Sequence, residues 1–492
     1  MLNFKKIISL ILSVLLIICC FTGCSDKYKE AYIYFELLEK PKTVDPQTAY
    51  NDSELLVVRN IYEGLLRKDE HDEIGLGAAA DYTYKGLTYT FDLRDDLVWS
   101  DGTPLTADDF VYGFRRAVDP KIKAPFANRL KNIQGAEAII NGSADVSTLA
   151  VKAVDDTTLT ITMCREDVNF LETLTTSVCM PCNQEFFENS IGKYGLDAEN
   201  TISNGSYRLS KWNKEDFGIR LYKNEEYNGY FKAENAAVFI SCVDDESQAI
   251  RLKDGDCDIA FIPCDELDKI DNTLTNVGIN NICWFMTISR EYSPQVRGAL
   301  LSAFSGDVYG SALPSGFSVA KSIYPEIIAA DTDNIGFTKY DLDAAKTEMS
   351  AQVAGMEDKK FPQATMYYYN TENVEKIATA VLGHWQKNLS TFVNIKDSDN
   401  LSALQSEIAT STLDFSLFPI TAKSDLFSEY ASNFAAVSTA TTPETLQQEL
   451  LKDLTIVPVA YQSTNISYIS SLENVVMSDD NGYIDFSFIV KQ

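Results

Sequence analysis

Residues Tyr89 to Pro120 read YTFDLRDDLVWSDGTPLTADDFVYGFRRAVDP. Leu87, Tyr89, Phe91 and Leu93 alternate with Thr88, Thr90, Asp92 and Arg94. That period of two puts an apolar set on one sheet face and a polar set on the other. Asp101-Gly102 supplies a turn, because glycine adopts positive φ at little cost. Thr106 then caps a helix whose first turn carries Asp108 and Asp109, where the helix dipole favours negative charge. Phe110, Phe114 and Ala117 recur at helical spacing, and Asp119-Pro120 stops the run. The block is a strand, a turn and an amphipathic helix: a frame, with no residue placed for chemistry.

Working outward, Ala31 to Leu38 reads as a strand. Ser293-Pro294 starts a helix carrying Val296, Ala299, Leu300 and Ala303 on one side. Asp341 to Val353 and Asn373 to Leu389 read as further helices, with Ala364 to Tyr369 as a strand between them. Strands alternating with helices predict α/β lobes with mixed sheets. The Ser/Thr/Ala-rich stretch Ser428 to Thr445 reads as a loop, and no repeat of fixed period is visible.

At 492 residues the chain is long enough for about three domains or one large bilobal body. Its formal charge of -29 argues against nucleic acid or an anionic membrane surface as a partner of the body, and first of all serves solubility. The N-terminus MLNFKKIISLILSVLLIICCFTGCSDKYKE has basic Lys5 and Lys6, an apolar run from Ile7 to Phe21, and small residues before Cys24. That is a secretory signal, too short for a comfortable membrane span. Its T-G-C ending resembles a bacterial lipobox, whose cysteine is lipidated and becomes the mature N-terminus. Residues 1–23 are then a signal peptide and 24–30 a lipidated tether, and losing Lys5 and Lys6 takes the charge to about -31.

Seven cysteines remain beyond Cys24: Cys164, Cys179, Cys182, Cys242, Cys257, Cys264 and Cys283. An odd number leaves at least one free thiol or an intermolecular pair. Cys179-Met-Pro-Cys182 is a lone C-x-x-C. With only His71 and His384 in the chain, it reads first as ordinary buried or paired cysteines, then as a redox pair, and last as a metal hook.

Two histidines argue against Ser-His-Asp and Cys-His enzymes. His71 sits in the acidic run Asp69 to Glu73 and reads as an exposed turn, while His384 reads as a packed helix residue. G-x-S-x-G, H-E-x-x-H, Walker A and G-x-G-x-x-G are all missing. Carboxylate pairs such as Asp244-Asp245 arise by chance among 71 acidic residues. No catalytic residues, cofactor or metal are expected. The 25 Tyr, 26 Phe and 4 Trp mostly build cores, and they also suit a cleft that grips varied ligands.

Several motifs, in order, resemble the oligopeptide/dipeptide-binding family (family 5) of extracellular solute-binding lipoproteins of ABC importers. They are Thr43-Val44-Asp45-Pro46, Asn60-Ile61-Tyr62-Glu63-Gly64-Leu65-Leu66 and the opening block, which matches nearly throughout. Weaker matches are Ser203 to Leu209, Lys253 to Ala260, Gln295 to Leu300 and Tyr340 to Lys346. The similarity covers nearly all of the mature chain, strongly before Pro120 and unevenly after Phe304.

The resemblance implies an α/β, bilobal, periplasmic-binding-protein-like (type II) fold with an inserted third domain and a central ligand cleft. Residues 31–60 with 195–268 and 463–492 would form lobe I, 61–194 the inserted domain and 269–462 lobe II. It implies a monomeric binding protein that captures an oligopeptide or similar small solute and delivers it to permease subunits. It would be exported and anchored by lipid on Cys24 to the outer face of the cytoplasmic membrane. The ligand would lie as an added β-strand between the lobes. By the same resemblance, Tyr50, Asn51, Asp52, Phe126, Pro419, Ile420, Thr421, Lys423 and Asp425 would line the cleft. Here the sequence departs from the pattern. Lys423 stands where peptide binders of the family carry the Asp that pairs with the peptide's amino group, a role Asp425 could take after a two-residue shift. The stretch from Asp425 to Glu449 also looks shortened. These departures motivate an alternative, the same fold serving as a non-transport sensor or assembly lipoprotein. A secreted hydrolase is a distant third reading.

Overall fold

The computed structural model describes residues 32–214, 217–243, 246–323, 339–371, 374–409, 413–421, 447–448, 451–478 and 484–492. The sequence expectation for Ser428 to Thr445 falls outside these residues. The first strand, β1 (Tyr32–Glu36), is followed by helix α1 (Asp52–Ile61). Asn51 caps α1 by accepting the Glu54 N–H at 2.8 Å, and the Glu54 carboxylate in turn accepts the N–H of Tyr50 at 2.8 Å and of Asn51 at 3.4 Å. This reciprocal box satisfies donors the first helical turn would otherwise leave open.

Strands β2 (Leu66–Lys68) and β3 (Ile74–Leu76) form a hairpin leading to β4 (Ala79–Lys85) and β5 (Thr88–Leu93). In β5 the side chains of Tyr89, Phe91 and Leu93 are buried, as the alternation predicts. Leu87 lies just before the strand and is exposed, because the sheet begins one residue later. Gly102 takes φ +83° in the turn, and helix α2 (Ala107–Val118) buries Phe110, Phe114 and Ala117. Burial pushes the Asp109 carboxyl up to about 6, and it accepts the Thr106 N–H at 2.8 Å at the helix start. Strands β6 (Val151–Asp155) and β7 (Thr158–Thr162) complete a four-stranded antiparallel sheet in the order β4-β5-β7-β6.

The main sheet is larger. Its remaining strands are β8 (Tyr207–Asn213), β9 (Gly218–Lys223), β10 (Ala237–Ser241), β11 (Ile259–Phe261), β12 (Leu274–Ile288), β13 (Phe317–Val319), β14 (Ala364–Tyr369), β15 (Val393–Ser398), β16 (Phe415–Thr421) and β17 (Ile456–Ile469). They run β15-β14-β16-β12-β17-β11-β1-β10-β9-β8, with β13 beside β17. Helices α3 (Gln248–Asp254), α4 (Pro294–Ser302), α5 (Leu342–Ala354) and α6 (Glu375–Leu389) flank it, the last three close to the spans read from sequence. A short pair, β18 (Leu472–Glu473) and β19 (Val490–Lys491), ends the chain.

Two large cores share this sheet, with two smaller clusters beside them. One gathers Ile33 through Phe261, Ile279, Ile466 and the C-terminal Ile484, Phe486 and Ile489. The other gathers Trp284, Met286, Val296, Leu300, Trp385, Phe415, Leu417, Val457 and Ala460. Strands β12 and β17 pair antiparallel over almost their whole length and pass from one core to the other. Between the cores they turn polar, through Asn280-Asn281 on β12 and Gln462-Ser463-Thr464-Asn465 on β17. A bulge interrupts the pairing at Asn280/Ile282.

The motif residues hold the elements of the first core together. Asp45 forms a buried ion pair with Arg116 at 2.7 Å, tying the segment before α1 to helix α2. Burial opposes the Arg116 charge and Asp45 outweighs it, so the guanidinium pKa is raised. Glu63, also buried, accepts from Arg67 and Arg94 at 3.2 Å each and from the Tyr227 hydroxyl. The Asn204 and Gly205 N–H groups both donate to the Ile61 carbonyl, at 3.1 and 2.9 Å. A Cβ at Gly205 would stand 2.8 Å from the Ile61 carbonyl carbon, so only glycine permits that approach. Substituting Arg116→Ala leaves the buried Asp45 carboxylate without its counter-ion. Urea unfolding should show a loss of about 3–5 kcal/mol; a loss below about 1 kcal/mol would mean the pair is not part of the frame.

Candidate binding cleft

Where the two long strands turn polar, a cavity of about 210 Å³ opens. Its walls come from four places. Leu38 and Glu39 follow β1, and Phe261 to Cys264 follow the start of β11. Asp52 and Ser53 begin α1, while Ile282 and Gln462 to Asn465 come from β12 and β17. Strands β1 and β11 are parallel, so the cavity sits beyond their carboxyl ends, where open α/β sheets characteristically bind ligands. Apolar side chains share the walls with hydroxyls, amides and two carboxylates, a mixture suited to gripping a molecule by shape and by a few fixed hydrogen bonds.

The polar lining is ordered from behind. The Trp284 indole N–H donates to Gln462 Oε1 at 2.7 Å. Asn465 Nδ2 donates to Ser463 Oγ at 2.8 Å, and Thr464 Oγ1 donates to Asn281 Oδ1 at 2.8 Å. Partial burial first, then the charges of Asp52 and Glu54, raise the Glu39 carboxyl above the ordinary range, against an opposing pull from Lys42. This end of the cavity is therefore acidic and favours hydrogen-bond donors and cations.

The sequence candidates fall into separate places. Asp52 lines the cavity. Asn51 beside it uses its side-chain oxygen as the α1 cap. Tyr50 is 57% exposed and stacks on Phe126 with ring centroids 5.9 Å apart, while the Arg129 guanidinium lies 4.7 Å from the Phe126 ring centre. Thr421 pairs with Ile282 of the cavity wall and Pro419 with Trp284. Ile420 points the other way, into a small core with Cys283, Phe285 and Tyr461. Lys423, Asp425 and the lipidation candidate Cys24 lie outside the described residues.

Sequence reading missed Leu38, Glu39, Ser53, Phe261 to Cys264, Ile282 and Gln462 to Asn465. One signal was available: the four polar residues QSTN interrupt a strand that is otherwise mostly apolar. Neither histidine is near: His71 is exposed, and His384 is on α6 beside Asn388, with Nδ1 3.4 Å from the amide nitrogen. Among the described residues no group of His, Cys, Asp and Glu side chains could hold a metal ion.

None of the seven cysteines after Cys24 is in a disulfide, the C-x-x-C pair included. Burial pushes Cys179 and Cys182 up to about 12, so neither is a reactive thiolate at neutral pH.

Two cores joined by a pair of strands, with a polar-lined cavity at the junction, define a bilobal solute-binding protein. The comparisons give the family. Residues 74–441 match the model for bacterial extracellular solute-binding proteins, family 5. The chain is 30% identical to the periplasmic murein peptide-binding protein MppA of Escherichia coli over 379 residues, 73% of this chain and 70% of that one. It is 27% identical to the oligopeptide-binding protein OppA of Bacillus subtilis over 402 residues, 77% of this chain and 72% of that one. The solved structure of the E. coli murein tripeptide binding protein MppA superposes with a TM-score of 0.75 at 25% identity, covering 94% of this chain and 99% of that one. The chain belongs to the family 5 solute-binding proteins of ABC importers, and its α/β architecture is the family's type II fold.

Thiol titration checks the cysteine assignment. In the chain from Ser25 to Gln492, Cys164 alone of the seven should react with a thiol reagent in native buffer, and all seven in denaturant. A native count near zero would indicate a disulfide or blocked Cys164.

Proposed function

We propose that the protein is a lipid-anchored receptor that captures oligopeptides between its lobes and delivers them to a membrane permease. The observation that carries this is the cavity at the junction of two cores, walled by backbone-pairing strands and ordered amides. Relatives named for murein peptide and oligopeptide binding support a peptide as the ligand class. The reading includes Cys24 as the lipidated residue, residues 1–23 as the signal, and the outer face of the cytoplasmic membrane as the location. It also takes 31–60, 195–268 and 463–492 as lobe I, 61–194 as the inserted domain and 269–462 as lobe II, in a monomer. In this reading Tyr50, Asp52, Phe126 and Thr421 flank the ligand.

The acidic end has a consequence. Glu39 and Asp52 accept from the ligand's N–H groups or amine, and Glu39 does so best when ionised. Because its pKa is raised, it becomes neutral at a higher pH than an ordinary glutamate, so affinity falls as pH drops through that range. Calorimetry with a mixed peptide library, using the chain from Ser25, should give saturable binding. Asp52→Ala should weaken it roughly tenfold or more, as expected for a hydrogen bond to a charged group, and Glu39→Gln should flatten the acid-side decline. No heat and no thermal shift with any peptide would overturn peptide transport and favour the sensor or assembly role.

A further inference from the structure

The outer face of the first lobe's sheet differs in character from the rest of the molecule. On β8, β9, β10 and β1 the buried residues alternate with Arg208, Lys211, Arg220, Phe239, Tyr32 and Tyr34, which share the opposite face by strand register. The aromatic members cluster, Phe239 lying 5.4 Å from Tyr32 and 5.2 Å from Tyr34 between ring centroids, with the Arg220 guanidinium 5.4 Å above the Phe239 ring. A shallow groove of about 420 Å³ runs across it, and none of its ten described lining residues is acidic. Among the described residues no carboxylate forms an ion pair with Arg208, Lys211 or Arg220. Glu36 shares this face with Tyr32 and Tyr34, but its charge is matched by Arg251 of helix α3, which packs on the β11 end of the face against Ala260; the neighbouring Asp258 is likewise paired with Lys491, at 2.7 Å. In a chain with 71 acidic and 42 basic residues, a face whose unpaired charges among the described residues are Arg208, Lys211 and Arg220 is a local reversal of the overall charge.

The proposed anchor, Cys24, is close in sequence to this face. Seven residues, 25 to 31, separate Cys24 from Tyr32, which opens β1 on this face. Fully extended they reach at most about 28 Å from the anchored cysteine. We infer that this face, carrying Arg208, Lys211, Arg220 and the Tyr32/Tyr34/Phe239 cluster, rests on the anionic headgroups of the membrane that holds the tether. The inference builds on the lipoprotein reading of Cys24. Arginine and lysine side chains are drawn to an anionic leaflet within a Debye length, and tyrosines settle at the headgroup level. The net charge of -29 repels the same surface. Anchoring within reach of the tether gives the high local concentration that lets a weak contact of three cations hold one orientation. The cleft, lined by residues at the carboxyl ends of β1 and β11, then faces a fixed direction relative to a permease in the same bilayer.

The test separates the face from the lipid. A Cys164→Ser chain beginning at Cys24 is coupled to a maleimide lipid, so tethering does not depend on the host; the mass of the N-terminal peptide from the native host tests lipidation of Cys24 by itself. Acetylation of Lys211 is followed by mass spectrometry on vesicles of phosphatidylcholine alone and with one third phosphatidylglycerol, with exposed Lys387 on α6 as the reference. Lys211 should react at least fivefold more slowly on the anionic vesicles at low salt. The protection should vanish in high salt and in Arg208→Glu/Arg220→Glu, exposed positions whose reversal spares the fold. Equal Lys211 rates on both vesicles, or equal slowing of Lys387, would overturn the docked face while leaving the anchor untouched.

Discussion

One constraint governs the molecule: among the described residues, the two large cores are joined by one pair of long antiparallel strands whose middle is polar. A strand passing through one continuous core would be apolar along its buried face. Here β12 and β17 are apolar where they enter each core and carry Asn280, Asn281 and the QSTN run between them. That gap in apolar packing leaves space for a ligand and weakens the resistance to relative movement of the two bodies. One of the two bulges between these strands, beside Ile282, falls at the same level. Opening and closing about such a junction is the ordinary hinge motion of binding proteins.

Rigidity is placed elsewhere. The motif residues by which the family is recognisable are, in this structure, mostly framework. Asp45 and Arg116 form a buried pair, Glu63 gathers two arginines and a tyrosine, and Asn204-Gly205 clamps the end of α1. Buried pairs of this kind contribute modest net stability, because desolvation offsets much of their attraction, yet losing one partner is costly. They fix how the four-stranded sheet and α2 sit against the first core. The N-terminus of α1, with Asp52 at the cavity, is thereby held in place from below.

The fold was legible because its signals are periodic and local. The alternation at Tyr89, Phe91 and Leu93, the stop at Asp119-Pro120 and the helix opened by Ser293-Pro294 each state an element within a few residues. The cleft was legible only in part. Of the residues named by resemblance, Asp52 lines the cavity, whereas Leu38, Cys264, Ile282 and Asn465 come together from segments far apart in sequence, and partners at that separation leave no local mark. Ile420 shows the limit from another side: it alternates with Pro419 and Thr421, so its side chain enters a core while theirs face elsewhere. The basic face on β8 and β9 was hidden for the same reason, since the total charge averages over the whole surface.

The central claim, that the two bodies close on a guest molecule about the polar strand pair, is tested most directly by a distance across the junction. Fluorophores at exposed Glu226 in the first lobe and Lys387 in the second, in a Cys164→Ser background, report it by energy transfer. Saturating peptide should shift the molecules to a single shorter distance, with the fraction shifted following the calorimetric occupancy. An unchanged distance in molecules shown to be fully occupied would contradict the account.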